Sequence, residues 1–241
     1  MENDQSSDEN IIEPASTAPP SFSVQARGVD DTETATKVAT LVGTIVRELG
    51  RHIGLQALDG VTVAFDYDQA LLDLDRGYES SHQLRATNSH VFGVAMTPSV
   101  IRDGELKSHI LVRAPILLPL FDDADEEGIR TAIHVLAHEC GHVEVTRQFD
   151  QCFPGVILRG QLPLLDTLRW NTIFAVWDEY AVTWISAPFG PRGPFSFAVS
   201  SSVAESFKDI GFGWQSGRSH NQASRGSDQN RPVISYTFPL F

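Results

Sequence analysis

The sequence predicts an α+β fold, in which a small, twisted, mostly antiparallel sheet packs on two long helices. Three observations predict it. Short runs of β-branched and aromatic residues, beginning at residues 61–65, lie ahead of the long helical patterns. A long apolar-periodic segment follows them and contains His138-Glu139-Cys140-Gly141-His142. A second helical segment covers about residues 164 to 187, and strands grouped ahead of helices are the order of an α+β domain. With 241 residues and 41% apolar content, the chain is long enough to bury one proper core.

In chain order, residues 1–28 combine acids, Ser and Thr with Pro14, Pro19 and Pro20. They carry too few apolar groups to offset the entropy of ordering, and are expected to form a disordered acidic tail. A first helix is expected over about 31–53, where Val38, Leu41, Val42, Ile45, Val46 and Leu49 recur at steps of three and four. Residues 61–65 read as a strand introduced by Gly60, residues 90–96 as a second ended by Thr97-Pro98, and residues 106–113 as a third after the turn Asp103-Gly104. The polar stretch 71–88 reads as a loop with some helix. Pro115 and Pro119 stop the third strand, and the acids Asp122, Asp123, Asp125, Glu126 and Glu127 then suit the positive end of the helix dipole. The last helix carries Leu165, Leu168, Ile173, Phe174, Trp177, Ala181 and Trp184 at core spacing, and its Trp170, Trp177 and Trp184, seven apart, read as core. Pro188-Phe189-Gly190-Pro191 ends it. The domain is therefore expected over 29–190, followed by a Gly/Ser-rich, poorly ordered C-terminal extension over 191–241 in which Phe195, Phe197, Phe207 and Trp214 offer local docking.

A formal net charge of -13 argues against nucleic acid or an anionic membrane as the main partner, since both repel it. No stretch reaches the ~20 uncharged apolar residues of a membrane span. Two cysteines are too few for a disulfide framework, and the N-terminus lacks the basic and apolar run of a signal peptide, so a reducing cytoplasm is the expected compartment.

The chemistry concentrates at H-E-x-x-H. Four residues along a helix is about 40° past a full turn, so His138 and His142 leave one face and converge on a common point. Glu139, about 100° round from His138, reaches a water there without being a ligand. Cys140 faces inward as a buried thiol. Gly141, which costs roughly 1 kcal/mol against Ala within a helix, implies that something passes close to the backbone, a substrate or a neighbouring strand. Two histidines leave a hydrolytic zinc site one protein ligand short. Asp178 and Glu179 lie on the following apolar helix, where an unpaired carboxylate is costly unless a cation meets it. Glu179 has the longer reach; Asp178 is the competitor, or else orients a ligand histidine. His134, on the same stripe as His138, reads as packed or supporting, and His52, His82, His90 and His220 as surface residues.

On His138-Glu139-Cys140-Gly141-His142 and the later Asp178-Glu179-Tyr180-Ala181, the chain resembles the zincin-like metallopeptidases with a glutamate third ligand, the gluzincins, among them thermolysin-like enzymes and, more distantly, the ImmA/IrrE-type peptidases. The metzincin pattern is not met: Gln148 stands at its third histidine and Val145 at its glycine. The resemblance implies a minimal zincin-like fold, Zn2+ held by His138, His142 and Glu179, and Glu139 as general base in hydrolysis of a protein or peptide substrate. It leaves Tyr180, His109 and Tyr67 as candidate donors to the oxyanion, and an edge strand at 90–96 or 106–113 to hold an extended peptide. The alternative is a zincin-fold binding or interaction protein without activity. Oligomeric state and substrate identity are not encoded in any motif.

Overall fold

The structure, a computed structural model, describes residues 14–80, 82–86, 93–122, 125–158 and 162–190. Among the described residues it is an α+β fold with five strands in one sheet and five helices. The elements are β1 (Ser23–Arg27), α1 (Thr32–Leu49), β2 (Leu58–Ala64), α2 (Tyr67–Asp73), β3 (Ala95–Met96), β4 (Ser99–Arg102), β5 (Glu105–Arg113), α3 (Ala114–Leu117), α4 (Glu126–Cys152) and α5 (Leu164–Ser186). Short 3-10 turns follow α3 and α5. No helix among the described residues is long and apolar enough to cross a membrane.

The sheet is mixed rather than mostly antiparallel. Its order is β1-β2-β5-β3, with β4 also on β5; β1–β2 and β2–β5 are parallel, β3–β5 and β4–β5 antiparallel. The parallel half exists because residues 23–27 are a strand, not part of a disordered tail. Together with α1 they make a β-α-β crossover onto β2, the connection that parallel neighbours require. The polar residues before β1 bind the end of α1 instead of remaining solvated: Thr17 N donates to Gly50 O at 2.8 Å, Ser16 Oγ to Arg47 O at 2.6 Å and Leu55 N to Thr17 Oγ1 at 3.0 Å. Residues 1–13 and 191–241, with His220, lie outside the described residues, as do His90 and the start of the expected 90–96 strand.

The helices start where their caps dictate. Asp31 accepts from Glu33 N and Thr34 N at the start of α1, and Asp125 accepts from Gly128 N at the start of α4. The β4–β5 hairpin turns at Asp103 and Gly104, both at positive φ (52° and 79°), as a two-residue turn of this hand requires.

Alternation along the strands assigns the faces. Val61, Val63, Ile110 and Val112 point to the core shared with α1 and α4, whereas Ala64 and Leu111 point to a smaller cluster with Tyr67, Ala70 and Leu71 of α2. The long helix α4 therefore lies between the sheet on one side and α5 on the other. It is buried through most of its length, including the whole stretch from Val135 to Val143. Gly141 marks the crossing: a β-carbon there would stand 3.0 Å from Val182 Cγ1 of α5. What passes close to that backbone is a helix, not a strand or a substrate.

β5 is central, with β2 on one side and β3 and β4 on the other, so residues 106–113 are not an edge strand. The edge on that side is β3 and β4, interrupted at Thr97-Pro98.

Candidate metal centre

The close approach at Gly141 brings the C-terminal part of α5 against the histidine face of α4. Val182 is the contact residue, and Glu179 and Asp178 precede it by three and four positions, so they lie along the same side of α5. One ligand atom from each of His138, His142 and Glu179 lies within 4.8 Å of the other two. His142 Nε2 stands 3.9 Å from Glu179 Oε1, and the two imidazoles meet nearly edge to face, their centroids 4.9 Å apart at 82°. Donors on a tetrahedral centre with bonds of about 2.0–2.1 Å are roughly 3.3 Å apart, so small side-chain rotations close this set. Two imidazoles and a carboxylate so grouped could hold a metal ion, and this is a donor set that hydrolytic zinc sites use.

Asp178 does not join the set. Its Oδ2 accepts from His142 Nδ1 at 2.9 Å and turns the Nε2 edge of the ring toward Glu179.

The electrostatics follow from burial. Desolvation, with the neighbouring His142 and His134, pulls His138 down to about 3, so its ring is neutral, as a ligand must be. Burial acts to lower His142 too, yet the Asp178 carboxylate and its hydrogen bond, with Glu139 and Glu179 beyond, hold it up at about 9. Burial, reinforced by the charges of Asp178 and Glu139 and opposed by His142, pushes Glu179 up to about 7. Glu139 is 1% exposed, and burial raises its pKa against the pull of His142 and Thr97.

Thr97 is the residue that sequence reasoning missed. Its hydroxyl donates to Glu139 Oε2 at 2.7 Å, while Glu139 Oε1 is buried without a hydrogen-bond partner. The alternation that turns Ala95 into the α4 core and Met96 away from it brings Thr97 back to the α4 side. A strand phase extended by one residue is the only sequence signal for it.

The remaining candidates are placed as follows. Cys140 is fully buried and free, with its thiol pKa pushed up by burial. His134 is half-buried against the end of α5, hydrogen-bonded to the Ser186 backbone. His109 lies on the sheet face away from α4, between Thr62 Oγ1 at 2.9 Å and Asp59 Oδ2 at 2.8 Å, and so is not an oxyanion donor. Tyr180 is 67% exposed on the outer side of α5. The Tyr67 hydroxyl is buried without a hydrogen-bond partner, and Arg113 packs over its ring at 4.4 Å. Burial, reinforced by the nearby Glu139 carboxylate, raises the pKa of the Tyr67 hydroxyl. Among the other histidines, His52 meets Phe189 edge to face at 5.8 Å, and His82 is exposed.

Set against known proteins, the chain matches no family model, no curated protein and no solved structure. The site is therefore read from its own geometry.

Proposed function

We propose that the chain is a zinc-dependent metallopeptidase, with the ion held by His138, His142 and Glu179 and with Glu139 as general base. The observation that carries the reading is a buried, half-satisfied carboxylate beside a convergent His, His, Glu set drawn from two helices. Burying these groups together costs stability, and such clusters are characteristic of functional sites.

Zinc, when bound, supplies a Lewis acid that lowers the pKa of water toward about 7 and polarises a carbonyl. The chain's own residues do the rest. Glu139 takes a proton from the attacking water on Oε1 and returns it to the leaving amine, a role suited to a carboxylate whose pKa burial has raised. Thr97 holds Oε2 and so fixes which oxygen faces the reaction. Asp178 fixes the ring of His142. β3, which leads into Thr97, stands at the sheet edge beside Glu139, whereas the outer side of β4 is already taken where Ile101 N donates to Arg76 O at 2.8 Å; an extended peptide would add at β3, and this favours a protein or peptide substrate.

The test is hydrolysis of a denatured protein or a quenched-peptide library by the zinc-loaded chain and by Glu139→Gln. The variant is expected to retain zinc and to lose activity by about 10²–10⁴-fold, the usual contribution of a general base. A zinc-loaded wild type no faster than the variant would leave a binding module in place of an enzyme.

A further inference from the structure

The outer side of α5 is apolar and has no cover among the described residues. Val182 and Ser186 are buried toward α4. Roughly opposite them lie Leu165, Ile173, Val176, Trp177, Tyr180 and Trp184, each between 52% and 75% exposed. At 100° per residue these six fall within an arc of about 120°; the Asp166–Arg169 ion pair interrupts it near the N-terminal end, and from Ile173 to Trp184 it forms one apolar band. A helix that is apolar on two sides belongs between two layers, and an exposed band of this kind marks a binding surface.

We infer that the occupant is the chain's own segment 193–214. Four facts favour it over a second copy or another protein. The described residues end at Gly190, packed against His134 of α4 just past the C-terminal end of α5, so the segment begins at the end of the helix that carries Trp184. Its composition matches: Phe195, Phe197, Phe207, Phe212 and Trp214 are five aromatics in 22 residues, against 9% for the whole chain, and the polar stretch 217–229 follows. Its reach suffices, since 24 residues from 191 to 214 extend to about 80 Å at roughly 3.3 Å each, while the 23 residues of α5 span about 35 Å. Finally, a tethered segment acts at an effective concentration of about millimolar, well above that of a second copy in a micromolar solution. The seated segment covers the side of α5 opposite Asp178 and Glu179, which clamps that helix on α4. The inference is independent of the metal.

The experiment uses the full chain with a photo-reactive benzoylphenylalanine at Val176, irradiated at low micromolar concentration and mapped by mass spectrometry. The expected result is a cross-link within one chain to residues 193–214. Replacing Phe195, Phe197, Phe207 and Trp214 together by Ser should lower the cross-link yield at least fivefold without changing the helical circular dichroism. In the unmodified chain, backbone amides within 193–214 should exchange with deuterium at least tenfold more slowly than free peptide. Cross-links that join two copies, or that reach no residue of 193–214, would overturn the inference, as would free-peptide exchange across the whole segment.

Discussion

At the scale of single residues, the buried pair Thr97 and Glu139 makes the sharpest demand on the account. Removing the Thr97 hydroxyl with Thr97→Val leaves a buried carboxylate with no donor on either oxygen, a loss of about 1–3 kcal/mol. If the hydroxyl serves to aim Glu139, kcat/KM should fall about 10–100-fold while zinc content stays at one per chain, and Thr97→Ser should recover most of the loss. A fall in zinc content instead would show that Thr97 shapes the ligand set rather than the base. This bond also shows what was legible in the chain and what was not. His138, Glu139 and His142 lie within five consecutive positions, and their convergence follows from helix periodicity alone. Glu179 was legible as an acid on an apolar helix. Thr97 meets Glu139 across 42 residues and only because a strand alternates in register with α5's neighbour α4, which no local pattern encodes.

At the scale of elements, the crossing of α4 and α5 governs the site. Gly141→Ala gains roughly 1 kcal/mol of helix propensity but places a β-carbon 3.0 Å from Val182 Cγ1, so its net effect on melting should be small. The larger Gly141→Val should force α5 away and carry Glu179 with it. The expected result is a zinc affinity at least tenfold weaker, read by competition with a chelating dye, while far-ultraviolet circular dichroism retains the fold. On the other sheet face, Asp59 ties β2 to β5 through His109 Nδ1 at 2.8 Å and to the end of β4 through Arg102 Nε at 3.0 Å. Burial acts to raise the Asp59 pKa, but the hydrogen bonds of His109 and Arg102 outweigh it and hold the value below the usual carboxylate range. The stability this gives is fully present above the unfolded value of about 4 and is lost as pH falls through the lower folded value. Asp59→Asn should therefore cost about 1.5–3 kcal/mol in urea melts at pH 7, and the difference from wild type should shrink as pH drops below 4. Helices were the more legible elements, because Leu41, Ile45 and Leu49, or Ile129, Ile133 and Leu136, repeat at helical spacing. Strand direction was not. β1 reads Ser-Val-Gln-Ala-Arg, too polar to stand out from a tail, and its parallel pairing is fixed by the α1 crossover rather than by its own composition.

At the scale of the whole molecule, the sheet, the buried α4 and the outer α5 form successive layers, and the proposed metal centre joins the last two. The spacing of Trp177 and Trp184 suggested core, yet both are more than half exposed; periodicity reports that a side is apolar, not which partner covers it. An ion that binds the folded chain alone stabilises it by mass action, about 4 kcal/mol when free zinc is 1,000 times its Kd. For a chain of this size that raises Tm by roughly 8–16 °C, a shift that scanning calorimetry with and without chelator should record. The most direct test of the central claim is zinc content per chain, measured by elemental analysis after dialysis, for wild type and Glu179→Ala side by side. The account predicts one zinc in the wild type and a clear loss in the variant. One zinc in both would move the third ligand away from Glu179, and none in the wild type, even after reconstitution, would contradict the metal centre itself.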